Sequence, residues 1–135
     1  MKYLLDTNIC IYTIRQKPGR VLTRFQESMV GEIGISSITA AELWFGVEKS
    51  SQKEQNEHAL RKFLLPLVIV PLDARAAEAY GMIRAGLETQ GKPIGALDML
   101  IAAQAVSQGT VLVTNNEREF SRVPRLQLEN WAAKS

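Results

Sequence analysis

The sequence predicts an α/β fold, with a short and mostly parallel central sheet flanked by helices. Three observations carry that reading. Apolar runs of about four residues recur at 2–5, 33–36, 67–70 and 110–113. The segments between them have helical periodicity and helix-start residues. The runs themselves lack clean polar–apolar alternation, as expected of parallel strands buried on both faces.

Taken in order, residues 2–5 (Lys-Tyr-Leu-Leu) form a strand ending at Asp6, and Thr7 or Asn8 caps a helix over about 8–15. Pro18 stands near the start of a second helix over about 18–28. Ile33-Gly-Ile-Ser is the next strand, followed by Ser36, Ser37 and Thr39 as N-caps for a helix over about 38–50. A polar stretch from Ser50 to Glu57 leads into a helix with Leu60, Phe63 and Leu64 on one face, stopped near Pro66. Leu67-Val-Ile-Val is a strand closed by Pro71. Asp73 then caps a long helix over about 73–90, with Ala76, Ala77, Tyr80, Ile83 and Leu87 at helical spacing and Gly91 as its stop. The loop 91–95 precedes a helix over about 96–108 that ends at Gly109. Thr110-Val-Leu-Val is a strand, a helical turn runs through Arg118, and a last short strand covers about 126–128.

Composition narrows the chemistry. At 135 residues, 46% hydrophobic and 22% charged, the chain has the size and balance of one globular domain. No apolar run approaches the roughly 20 residues that cross a bilayer. An acid at position 6 interrupts the stretch a signal peptide would need, so a cytoplasmic location is expected. The single cysteine, Cys10, excludes an internal disulfide and reads as a buried, inert thiol between Ile9 and Ile11. The single histidine, His58, lies in a polar stretch and makes a Ser-His-Asp or Cys-His triad improbable. Acids and hydroxyls remain as the reactive inventory. A net charge of +2 is too slight to indicate nucleic-acid binding by itself.

Within that inventory four acids stand where an apolar segment meets a turn or helix start: Asp6, Glu42, Asp98 and Glu119. Ligands of open parallel sheets bind at the carboxyl ends of the strands. Asp6 follows the first strand, Glu42 lies in the helix after the second, and Asn115, Asn116 and Glu119 follow the fourth. Asp98, in the first turn of a helix entering that strand, is the odd one out. Each acid also has an ordinary reading. Asp98 suits a helix dipole, Asp6 suits a turn, and Glu119 sits in a polar Asn-Asn-Glu-Arg-Glu segment. Glu42 is harder to dismiss among Ala40, Ala41, Leu43, Trp44 and Phe45. Together they suggest one site, because clustered carboxylates need a cation to relieve their repulsion.

At these residues the chain resembles the PIN-domain ribonucleases, in particular the VapC toxins of bacterial type II toxin–antitoxin systems. The resemblance spans essentially the whole chain. It rests on Leu5-Asp-Thr-Asn-Ile, Ser36-Ser-Ile-Thr-Ala-Ala-Glu-Leu with Gly46, Gly95-Ala-Leu-Asp-Met-Leu-Ile-Ala-Ala, and Val113-Thr-Asn-Asn-Glu-Arg-Glu-Phe. The Lys92-Pro-Ile-Gly loop and the closing Glu129-Asn-Trp resemble the enterobacterial branch.

The resemblance implies a PIN-like three-layer sandwich, with residues 1–135 as one PIN domain. It implies a Mg²⁺-dependent endoribonuclease, with Mn²⁺ as a substitute, in which Asp6 and Asp98 are the principal metal ligands. Glu42 acts beside them directly or through water, and Glu119 supplies the fourth acid. Many relatives carry Asp where this chain has Asn116, whose amide oxygen coordinates more weakly. Thr7, Asn8 and Thr114 read equally as caps and as partners of the site or substrate. Lys92 is the best-placed cation for RNA, with Arg15, Lys17, Arg20 and Arg24 as a possible basic edge that reads equally as a solvated helix face. The implied substrate is structured RNA, with the anticodon region of initiator tRNA as the first expectation. The implied partners are a VapB-like antitoxin, operator DNA reached only through that antitoxin, and a second copy in a homodimer, with Trp44 and Phe45 available as surface or as core. A PIN-like module that binds RNA or a partner without efficient cutting is the competing class.

Overall fold

In a computed structural model describing residues 1–134, the chain alternates strands and helices as the apolar runs require; the expected domain end at residue 135 lies outside the described residues. The elements are β1 (Tyr3–Leu5), α1 (Thr7–Arg15), α2 (Gly19–Glu27), β2 (Ile33–Ser36), α3 (Ser37–Glu48), α4 (Lys53–Leu64), β3 (Val68–Val70), α5 (Ala74–Thr89), α6 (Ala96–Gln108), β4 (Val111–Val113), α7 (Glu117–Phe120) and β5 (Gln127–Glu129). The strands pair in the order β3-β2-β1-β4-β5, and every pairing is parallel.

Both faces of the central strands β2, β1 and β4 are covered, which is why they read as unbroken apolar runs, whereas Val68 and Ile69 on the edge strand β3 are exposed despite the apolar run there. Tyr3, Leu5, Ile33, Ile35 and Val113 pack with residues of α1 to α4, including Ile9, Leu43, Leu60 and Phe63. Leu4, Val70 and Leu112 pack on the opposite side with Ile83, Leu87, Ile101 and Phe120. The result is a three-layer α/β/α sandwich with a core on each side of the sheet. Burying a side chain such as Leu4, Leu5 or Leu112 fully contributes about 1.5–3 kcal/mol.

Three local expectations are corrected. The cap of α1 is Asp6, whose Oδ1 accepts from the N–H of Ile9 at 2.9 Å, and not Thr7 or Asn8. The carboxylate is one residue earlier and aligned with the free N–H groups, so the helix starts directly from the strand. Helix α4 begins at Lys53, inside the stretch expected to be a polar lead-in, because its outer face is solvated and needs no apolar residues. Ala77 is exposed, whereas Ala76, Ile83 and Leu87 line the buried face of α5.

Candidate active site

β1 and β4 are adjacent and in register, with Leu5 opposite Val113, so the residues that follow them emerge side by side. Asp6 donates its backbone N–H to Val113 O at 3.0 Å, and Thr114 donates its own to Glu129 O at 3.0 Å. Asp6 and Thr114 are thereby placed together at the carboxyl edge of the sheet. β2 passes into α3 without a loop, Ser36 capping the helix by accepting from the N–H of Ile38 at 2.9 Å. Glu42 stands about one and a half turns along that helix.

Asp98 lies at the same edge, because its helix has an N-terminus that points back to it, as its place in the sequence requires. Helix α6 ends one short step from the amino end of β4, at Gly109 and Thr110, so its first turn lies toward the opposite edge. Its first residues follow Gly95, where a Cβ would stand 3.4 Å from Oδ2 of Asp98. Glycine there leaves the carboxylate uncrowded.

The acids are close enough to perturb one another. Burial pushes Asp6 up from 3.8 to about 6; Asp98 and Glu42 add to the rise, while Thr114 and the N–H of Ile9 oppose it. Asp98 is also raised, first by burial and then by the charges of Glu119 and Glu42. Each of the four acids therefore has another as an electrostatic neighbour. Among the described residues, no three His, Cys, Asp or Glu side chains are drawn tightly enough together to hold a metal ion by themselves. The donors on offer are hard oxygens only, which suits Mg²⁺ or Mn²⁺, ions that use few protein ligands and keep several waters. Asp6, Glu42, Asp98 and Glu119 are the carboxylates that could hold such an ion.

Polar side chains around the acids form short links. The Thr7 hydroxyl donates to Glu42 Oε1 at 2.7 Å and does not cap the helix. Asn8 is exposed. Asn116 donates its backbone N–H to Thr114 Oγ1 at 2.9 Å and its side-chain amide to Glu119 Oε2 at 3.0 Å. Two contacts had no signal in the sequence. Asn115 donates to the Tyr12 hydroxyl at 2.8 Å, joining partners 103 positions apart. Arg122 donates to Pro93 O at 3.1 Å, holding the loop that carries the exposed Lys92. Cys10 is fully buried beside Asp6, and burial pushes its thiol well above the ordinary range, so it is no nucleophile.

The supposed basic edge divides. Arg20 donates to Ala132 O at 2.6 Å, and Arg24 pairs with Glu129 at 2.9 Å while its guanidinium lies over Trp131. Both arginines fasten the C-terminal segment. Arg15 instead borders an apolar groove with Glu42, Ile11, Ile14, Val47 and Leu60.

The profile of the PIN domain matches residues 3–126. The chain is 46% identical over 132 residues to the tRNA(fMet)-specific endonuclease VapC of Shigella flexneri, covering 98% of this chain and 99% of that protein. The chain belongs to the PIN-domain family, in its VapC branch. It is also 47% identical over 131 residues to Ribonuclease VapC2 of Haemophilus influenzae, covering 97% of this chain and 98% of that one. Among solved structures, this PIN domain is similar to the DNA-bound VapBC of Salmonella typhimurium, with a TM-score of 0.92, 44% identity and coverage of 97% and 98%. It is likewise similar to VapBC2 of Rickettsia felis bound to a promoter fragment, with a TM-score of 0.88, 44% identity and coverage of 97% and 99%. No helix among the described residues of the domain is long and apolar enough to cross a membrane.

Proposed function

We propose that this PIN domain is the toxin of a type II toxin–antitoxin pair, a Mg²⁺-dependent endoribonuclease acting in the cytoplasm on tRNA, with initiator tRNA as the first substrate to try. The observation that carries the reading is the meeting of Asp6, Glu42, Asp98 and Glu119 at one sheet edge. The relative named as a tRNA(fMet)-specific endonuclease supports the substrate.

Asp6 and Asp98 would hold a divalent ion, with Mn²⁺ as a substitute. Such an ion, when bound, polarises a phosphodiester oxygen and acidifies a water for attack. The chain's own residues do the rest. Asp6, raised to about 6 by burial, is ionised at neutral pH and available as a ligand. Glu42, oriented by Thr7, accepts a proton from the attacking water. Lys92, on a loop held by Arg122, meets the RNA backbone.

A VapB-like antitoxin fits the groove bordered by Arg15 and Glu42. Its apolar side chains would occupy the space between Ile14 and Leu60, and a basic side chain would reach the carboxylates. Operator DNA would be bound through that antitoxin. The VapBC complexes on DNA among the similar structures support this. Exposed apolar residues Phe45, Leu65, Val68, Ile69 and Leu72 favour pairing with a second copy.

Total tRNA incubated with protein and Mg²⁺ gives the direct test. Cutting is expected, and EDTA, Asp6→Asn or Asp98→Asn should each abolish it, whereas Glu119→Gln should impair it less than Asp98→Asn. RNA loss that is equal for wild type and both Asn variants would mark a contaminant and remove the assignment. Tight tRNA binding with no cutting would favour the non-cleaving module.

A further inference from the structure

Thr114, Asn115 and Asn116 form the turn between β4 and α7, and the side chain of each is engaged by a different neighbour. Thr114, fully buried, lies against Asp6 and accepts the backbone N–H of Asn116 at 2.9 Å. Asn115 donates to Tyr12 on α1 at 2.8 Å. Asn116 donates to Glu119 Oε2 at 3.0 Å. This last contact decides which way the Asn116 amide faces. A carboxylate accepts only, so the amide nitrogen meets Glu119 and the amide oxygen is turned from it.

We propose that Asn116 is a positioning residue: its side-chain amide holds the Glu119 carboxylate toward Asp98, so that position 119 alone supplies the fourth acidic corner. This rests on the ribonuclease reading and deepens it. The backbone that delivers the amide is itself tied down, at Thr114 beside Asp6 and at Asn115 to α1, so the donor arrives from a fixed place. An Asp at 116 would set two carboxylates against each other across the same short gap, and one of them would need a proton or a cation. The amide removes that conflict and directs the Glu119 carboxylate. The charge of Glu119 registers at Asp98, consistent with that direction.

Two measurements on the full chain decide it. In ion-free protein, the Asn116 side-chain N–H signals of a ¹⁵N–¹H spectrum should move when Glu119→Ala removes the acceptor. Unmoved signals overturn the proposal whatever the protein does to RNA. Mn²⁺ titration of wild type, Asn116→Ala, Glu119→Ala and the double variant supplies the second. Each single change should weaken binding by roughly ten- to a hundredfold. The double variant should match Glu119→Ala within about twofold, because Asn116 acts only through Glu119. Losses that multiply in the double variant would make Asn116 a ligand in its own right and overturn the proposal. Wild-type protein that binds no Mn²⁺, with the amide contact intact in the spectrum, would instead remove the ribonuclease reading, and the role of Asn116 with it.

Discussion

Thr7 and Glu42 are 35 positions apart in sequence, yet the Thr7 hydroxyl donates to Glu42 Oε1 at 2.7 Å. A hydrogen bond to a charged acceptor is short and strong. It holds one oxygen of Glu42 in place. Thr7 is free to do this because Asp6 has taken over the cap of α1.

Thr7→Val should therefore slow tRNA cutting by roughly ten- to a hundredfold while changing stability by about 1 kcal/mol or less. Thr7→Ser should restore most of the rate. Steady-state cutting and thermal unfolding of the two variants check this. Equal rates for wild type and Val would show that Glu42 needs no such partner.

The buried Asp6 makes ion-free protein pH-sensitive. Its folded pKa of about 6 lies above the ordinary 3.8, so between those values the folded chain keeps a proton that the unfolded chain has lost. Stability contributed by the protonated form is fully present below the unfolded value and is lost as pH rises through the folded one, by about 3 kcal/mol at most. Asp6→Asn retains an acceptor for the Ile9 N–H and carries no charge to desolvate. The variant should be more stable than wild type at about pH 8 and inactive. Urea unfolding in EDTA across the window reads the slope, and a variant without stabilisation at high pH would contradict the burial argument.

Divalent ions should reverse that sensitivity. Carboxylate ligands must be ionised, and Asp6 and Asp98 are both raised, so Mn²⁺ should lift Tm more at about pH 8 than at about pH 5. At a hundredfold excess over Kd the gain is about 3 kcal/mol. Asp98→Asn should remove most of it. Calorimetry with and without Mn²⁺ measures the difference, and a lift unaffected by Asp98→Asn would place the ion elsewhere.

Arg24 provides a contrast. It pairs with Glu129 and lies over Trp131, with both charged side chains substantially exposed. Arg24→Ala should destabilise by about 1 kcal/mol or less and leave tRNA cutting unchanged. A loss of cutting without a loss of stability would return Arg24 to the RNA-contacting edge.

The layered fold was legible because burial on both sheet faces leaves a local trace. Leu4 and Leu5 point to opposite cores, and both are apolar, so the strand has no polar alternation. Gly109 marked the end of α6 and Asp73 the start of α5 for equally local reasons. The cap of α1, Asp6, lies one residue before Thr7 and two before Asn8; all three are good caps and only backbone direction separates them. The two aromatic residues on α3 were also undecidable: Phe45 is exposed with Lys49 over its ring, whereas Trp44 is half-buried under Arg61.

By itself the sequence determined the alternating elements, because helix periodicity and strand burial are recorded within a few residues, and it singled out the four acids through their joint occurrence and the resemblance to the PIN-domain ribonucleases. Tertiary structure alone decided that Thr7 hydrogen-bonds Glu42, that Asn115 reaches Tyr12, and that Arg20 and Arg24 are fastened to the C-terminal segment. Those are pairings between residues distant along the chain. They depend on strand order and helix direction, and no local preference encodes either.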